Sequence, residues 1–244
     1  MTVIIVSKGL EMMLRFCINA LIFALQQTEP RIRYDIVVVD NASNFPYLSP
    51  DYSVSGIHLM RVDTHISFSR ACNIAARSKP NNLYLFLNND VLLHEQAISF
   101  MLDLILSNPR SGICGSRLLF PDNTIQHCGV VFGAGDKGPY HCFYKAPNHI
   151  VPRMNREYQA VTGACMLVKS EVWDGVNGMD EGYDFGLEDI DFCLRARQRG
   201  WNVICCNKVD SLHFESMTPG RVDRDVPSRE RFMDTWKGHY CIDG

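Results

Sequence analysis

Apolar residues fall along the first half of the chain in two alternating rhythms. Residues 3–6 (VIIV) are a short β-branched run. Met13, Leu14, Cys17, Ile18, Leu21, Ile22 and Leu25 then recur at the spacing of an amphipathic helix across 11–27, closed by Pro30. Residues 36–39 (IVVV) are a second apolar run ending on Asp40, and 57–62 give a weaker strand after a loop containing Pro and Ser. Residues 69–78 have helical composition, 83–87 (LYLFL) read as a buried strand, and 97–106 read as a helix ending at Asn108-Pro109. Strands alternating with helices predict an α/β fold, a mostly parallel central sheet with helices on both faces.

The texture changes after Gly112. SGICGSRLLF and TIQHCGVVFGAG predict short strands, and 133–160, rich in Gly, Pro, His and Asn, reads as a long loop of the kind a compact domain keeps for function. Regularity returns with a strand at 164–168, a loop, a helix from 188 to 199 ended by Gly200, and a strand at 202–206. From Glu215 the chain is charged and Pro-containing until RFMDTW, a short helix.

Composition narrows the function classes. A formal net charge of −3 and a hydrophobic fraction of 46 % suit one globular domain and give no global attraction to nucleic-acid phosphate. No stretch reaches the roughly 18 uninterrupted apolar residues of a membrane span, and no basic leader precedes residues 3–6, so the expected location is the cytoplasm. The ten cysteines are scattered without a CxxC pair, which predicts reduced core thiols rather than a disulfide frame or a zinc site.

The carboxylates carry the candidate chemistry. Ligands of open α/β sheets bind beyond the carboxyl ends of the strands, where Asp40 and Asp90 both emerge; the bland alternative is that each caps a turn. In FGLEDIDFCLRARQRG, Glu188 and Asp189 fall in the first turn of a helix, where the macrodipole favours ionised carboxylates. Asp191 and Arg195 are spaced for an intrahelical ion pair. His213 follows the next strand. Asp90, Asp189 and His213 together offer hard oxygen donors and one imidazole, suited to Mg2+ or Mn2+.

With VIIVSKG, IVVVDNAS, SFSRACNIAAR, LFLNNDVLL and VTGACMLVKSEVWDGVNGMDEGYDFGLEDIDFCLRARQRGW in view, the chain resembles the nucleotide-sugar glycosyltransferases of family 2, especially rhamnosyltransferase-like and galactofuranosyltransferase-like members. The resemblance runs from Val3 to about His213 and implies a GT-A domain over 1–214, with a nucleotide-binding half (1–110), an acceptor half (111–214) and a tail with a short helix (215–244). It implies an inverting transfer from a UDP, dTDP or GDP sugar to a glycan or lipid-linked acceptor, with peripheral membrane association through the acceptor. Ser7, Asp40, Asn73, Asn88 and Asn89 are then expected at the nucleotide sugar. Asp90 and His213 would hold Mn2+ or Mg2+, Asp189 would be the general base, and Glu188 would place the acceptor. Asn88 stands where many relatives carry an acid, and a neutral donor there predicts a modest metal affinity.

Other signals point elsewhere. GAGDKG at 133–138 satisfies the dinucleotide fingerprint GxGxxG, but Pro139 rather than a helix follows, so a flexible loop is expected there instead of an NAD site. His127, His141 and His149 lack ligand spacing and read as surface or acceptor-groove histidines. Tyr140, Phe143, Tyr144 and Trp173 read as packed against the domain, with stacking on sugars as the alternative. Arg221 and Arg224 read equally as diphosphate contacts or a solvated linker. A non-catalytic nucleotide-sugar-binding module is the principal rival to an enzyme; an NAD-dependent oxidoreductase is the weaker one.

Overall fold

The computed structural model describes residues 1–44, 56–214 and 225–244. The chain opens with β1 (Thr2–Ser7), α1 (Glu11–Gln26), β2 (Asp35–Asn41), β3 (Ile57–Val62), α2 (Phe68–Ser78), β4 (Leu83–Leu87), β5 (Val91–Leu92) and α3 (Ala97–Ser107). The second half adds β6 (Ser111–Leu119), β7 (Ile125–His127), β8 (Val130–Gly133), β9 (Gly138–His141), β10 (Arg156–Tyr158) and β11 (Cys165–Lys169). It ends with α4 (Ser170–Gly175), α5 (Glu188–Gln198), β12 (Asn202–His213) and α6 (Asp225–Trp236).

The main sheet runs β10-β12-β6-β11-β4-β1-β2-β3, with β5 on β12 and β7 on β6. β1 through β4 pair in parallel, as the alternating pattern predicts. The sheet becomes mixed where β11 enters, antiparallel to both β4 and β6. Both faces are covered, and the strand sequences show why. Val3, Ile5, Ile36, Val38, Leu85 and Leu87 point to one core with α1 and α3. Ile4, Val37, Val39, Tyr84 and Phe86 point to the other, with α2, α4, α5 and α6. Side chains alternate across a strand, so a strand buried on both faces must be continuously apolar.

Three elements depart from the sequence reading. Residues 133–160 are not one long loop: GAGDKG forms the turn of the β8–β9 hairpin, with a short 3-10 turn at Gly135–Lys137 and no following helix. β12 reaches His213 instead of stopping near Cys206, crossing a register shift between Cys206 and Ser211. The tail helix belongs to the core, since Phe232 and Trp236 are buried and Trp236 Nε1 donates to Asp191 Oδ1 at 2.9 Å. Arg195 Nε also donates to Asp191 Oδ2 at 2.7 Å, the pair that the i, i+4 spacing predicts. Arg221 and Arg224 lie outside the described residues.

The aromatic residue of the 170–175 segment is structural. Trp173 stacks on Phe86 at 4.9 Å between centroids and contacts Tyr84 and Phe192, as the packed reading predicts. None of the ten cysteines is in a disulfide. Burial pushes the thiols of Cys72, Cys114 and Cys205 far up, which keeps them protonated and unreactive. Among the described residues no helix is long and apolar enough to cross a membrane.

Candidate active site

A cleft of about 560 Å³ opens at the carboxyl ends of β1, β4 and β12, bordered by the β8–β9 hairpin and the start of α5. Of the nine expected site residues, Ser7, Asn88, Asn89, Asp90, Glu188, Asp189 and His213 line it. Ser7 closes β1, and the Asn88-Asn89-Asp90 turn follows β4, held by Asn88 N–H donating to the Ala164 carbonyl at 2.9 Å. Asn89 Nδ2 donates to Ser7 Oγ at 2.7 Å, tying the two strand ends together.

Asp40 and Asn73 lie off the cleft lining. Asp40 is fully buried: Oδ2 accepts from Arg61 Nη1 at 2.6 Å and Oδ1 from the Ser43 N–H at 3.1 Å. Asn41, next along β2, reaches the cleft, with its amide bonded both ways to the Ile66 backbone. Asn73 staples α2 to the loop before α5, donating to Met179 O and Glu181 Oε1 and accepting from Met179 N–H. With its amide engaged on three bonds, Asn73 serves the packing of that loop.

Asp90 and His213 meet because β5 pairs with the end of β12, with Val91 opposite His213. Asp90 Oδ1 lies 3.0 Å from His213 Nε2, and both residues are buried. His213 Nδ1 contacts Gln126 Oε1 at 2.7 Å. With the amide oxygen as acceptor, the imidazole proton sits on Nδ1 and the Nε2 lone pair faces a carboxylate oxygen. That contact is favourable only with a positive charge on or between the two atoms, supplied by a second proton or by a cation. Asn88 Nδ2 lies 3.4 Å from the same nitrogen. No third His, Cys, Asp or Glu joins the pair among the described residues, so a cation held here would take its other ligands from substrate oxygens and water.

Asp189 sits in the first turn of α5, after Leu187 turns the chain through a left-handed conformation. Its Oδ2 accepts from Gly163 N–H at 2.7 Å and its Oδ1 from Ile190 N–H at 2.8 Å. Burial raises the Asp189 pKa; the Gly163 bond and the nearby His141 pull the other way. A desolvated but ionisable carboxylate, fixed by two backbone donors, is suited to take a proton. Glu188, at the same turn, is buried along the cleft.

Two histidines read from sequence as groove or surface residues form a pair. His127 is fully buried and accepts weakly from Thr162 N–H at 3.4 Å through Nε2, while its Nδ1 lies 2.9 Å from His141 Nδ1. Burial, then the charges of His141 and His213, pushes His127 well below its usual range, so it is neutral. The neutral tautomer that satisfies both contacts has His127 donating from Nδ1 to His141 Nδ1. His141 in turn lines the cleft. The sequence reading did not single out Gln126 and took His127 for a surface or groove residue; β7 brings Gln126 to His213 and His127 to His141.

Residues 2–126 match the model of glycosyl transferase family 2, and residues 148–218 match a model described as the N-terminal domain of galactosyltransferase. The O-antigen biosynthesis protein RfbC of Myxococcus xanthus is 33 % identical over 154 residues, covering 59 % of this chain and 12 % of that protein. The chain spans 25 % or less of the length of the first three curated relatives it matches. The crystal structure of GalNAc-T7 with UDP, GalNAc and Mn2+ superposes with a TM-score of 0.72 at 14 % identity, over 97 % of this chain and 48 % of that one. The mannosyltransferase PcManGT of Pyrobaculum calidifontis, in complex with GDP-Man and Mn2+, gives 0.68 at 12 % identity, over 99 % and 65 %. The architecture is the GT-A fold. With more than half of its sequence inside one family model, the chain belongs to glycosyl transferase family 2.

Proposed function

We propose that the chain transfers a sugar from a nucleoside-diphosphate sugar to an acceptor hydroxyl with inversion, with Asp189 as general base. One observation carries this reading: a carboxylate on two backbone donors and the Asp90–His213 pair line a single cleft at the strand ends. The donor set fits a divalent cation, since a carboxylate oxygen and an imidazole lone pair converge with Gln126 orienting the ring. When bound, such a cation supplies Lewis-acid stabilisation of charge developing on the leaving diphosphate. Ser7, Asn88 and Asn89 border the donor side. Asp189 takes the acceptor proton as the new oxygen–carbon bond forms and the bond from the sugar to the diphosphate breaks, and Glu188 positions the acceptor. Two structural neighbours carry UDP or GDP-Man with Mn2+, which supports a nucleotide-sugar donor and this cation.

Thermal melting with UDP, GDP and dTDP sugars, each with and without Mn2+, tests the reading. One nucleotide is expected to raise the melting temperature, and more so with Mn2+; no shift with any of them would sink it. A binding module would shift in the same screen, and an assay of nucleoside-diphosphate release with acceptor separates it, since it would transfer to no acceptor. An NAD site has no support in a hairpin turn that lacks the phosphate-binding helix.

Gln126 gives a further expectation. Gln126→Leu removes the acceptor that fixes the His213 ring and is expected to weaken Mn2+ by about 10- to 100-fold, the usual scale for a residue supporting a ligand. Calorimetric titration of Mn2+ in the presence of the shifting nucleotide measures it.

A further inference from the structure

The open end of the β8–β9 hairpin carries a repeated pair, His127-Cys128 ahead of β8 and His141-Cys142 at the end of β9. The histidines meet at 2.9 Å, and the residue that follows each of them is a thiol. Cys128 is buried, whereas Cys142 is partly exposed.

The hairpin backbone sets the two sulfurs together. Val130 pairs with His141, and Cys142 N–H donates to Gly129 O at 2.9 Å, which brings Cys142 beside Cys128. Cys128 Sγ lies 3.2 Å from the Cys142 carbonyl oxygen and within hydrogen-bond reach of the Cys142 sulfur. Gly129 sits at φ 126°, and a Cβ there would stand 2.4 Å from the Tyr158 ring, so glycine is what lets that ring pack against this end of the hairpin. The Tyr158 hydroxyl donates to Cys142, and the Arg156 guanidinium lies 5.6 Å from the centre of the Tyr158 ring. Hydrogen bonds from Cys128 and then Tyr158, with the Arg156 charge, bring the Cys142 thiol down to about 7 against burial and the Asp243 carboxylate. The bond to Cys142, and then burial, push Cys128 up, so it keeps its proton. A thiolate within reach of solvent, with a protonated thiol at its side, is the arrangement of an attacking and a resolving cysteine. Cys72, Cys114 and Cys205, fully buried and raised, are closed to this chemistry.

We propose that Cys142 and Cys128 form a reversible thiol–disulfide site that reacts with low-molecular-weight disulfides. The Cys142 thiolate attacks one sulfur of the reagent, whose S–S bond breaks; a mixed disulfide forms on Cys142, and the first small thiolate leaves and takes up the proton that Cys142 had released. Cys128 then gives up its proton as its sulfur attacks the Cys142 sulfur. The mixed disulfide breaks, and the second small thiol leaves with that proton. Two protein thiols are oxidised and one reagent disulfide is reduced to two thiols. The product bond closes the hairpin directly behind His127 and His141, the latter on the cleft wall. The site stands independently of the glycosyltransfer reading.

The test incubates reduced, folded wild type, Cys142→Ser and Cys128→Ala with glutathione disulfide until the exposed Cys241 carries glutathione, then maps every cysteine by mass spectrometry. Wild type is expected to show residues 128 and 142 linked with the loss of two hydrogens, and dithiothreitol to reverse the link. Cys128→Ala is expected to stop at a glutathione adduct on Cys142, and Cys142→Ser to show neither adduct nor link at the hairpin. Cys128 and Cys142 both still reduced in wild type once Cys241 has reacted overturns the proposal. So does a glutathione adduct on Cys142 of wild type that persists without the link. Should Cys128→Ala fail to fold, the wild-type map decides alone.

Discussion

Asp189→Asn is expected to lower the transfer rate by about 10²- to 10⁴-fold, the scale of a lost general base, with donor affinity within about twofold of wild type. The amide keeps the size of the side chain, and its oxygen can still accept from Gly163 N–H, while the bond from Ile190 N–H is lost because the amide nitrogen cannot accept. It cannot take a proton from a hydroxyl. Initial rates of nucleoside-diphosphate release with acceptor, beside calorimetric donor binding, measure the two quantities. Transfer near the wild-type rate would mean that another group is the base. The pH dependence follows from the direction of the shift. Burial raises the Asp189 pKa, so protonated enzyme accumulates on the acid side at higher pH than for an ordinary carboxylate. The rate is therefore expected to rise with pH through a titration displaced above the usual carboxylate value, and Asp189→Asn should abolish that limb.

Asp90→Ala is the second large expectation. It removes the carboxylate oxygen 3.0 Å from His213 Nε2 and should weaken Mn2+ by more than Gln126→Leu does, because the oxygen itself is lost rather than its support. The Mn2+-dependent part of the nucleotide melting shift is expected to disappear while the Mn2+-independent part remains. If Mn2+ still enhanced the shift to the wild-type extent, the cation would be held elsewhere. Asn88, a neutral neighbour 3.4 Å from His213 Nε2, is not expected to substitute for a missing carboxylate.

β1, β2 and β4 were legible because they are buried on both faces and therefore read as unbroken apolar runs; the partly exposed edge strand β3 gave a weaker signal. The first part of β12, 202–206, was legible too, but its continuation to His213 was not, because Lys208 and Asp210 interrupt its pattern. Lys208 is exposed there, and Asp210 is paired with Arg117 and Arg153. The resulting strand carries His213 to Asp90, which local periodicity alone does not show. Asp40 and Asn73 illustrate the opposite difficulty. A polar residue after a strand or on a helix looks available in sequence, yet Arg61 and the Met179 backbone occupy these two. Gln126 and the His127–His141 contact depend on which face of a short strand meets which loop, information that resides in tertiary packing. Tyr144 turned on burial: the packed reading held for Trp173, while Tyr144 remains half in solvent.

The ladder between β4 and β11 has a consequence for how the molecule can be divided. Five residue pairs, from Leu87 with Cys165 to Leu83 with Lys169, join a strand of the first half of the chain to one of the second. A fragment of residues 1–110 would hold the parallel β1–β4 unit and still leave one edge of β4 bare, a row of unpaired amides and carbonyls flanked by buried Leu85, Phe86 and Leu87. Such an edge is a template for pairing with another chain, and the fragment would be prone to self-association. The two halves of the sheet meet in one ladder, so neither is expected to fold to a closed sheet without the other.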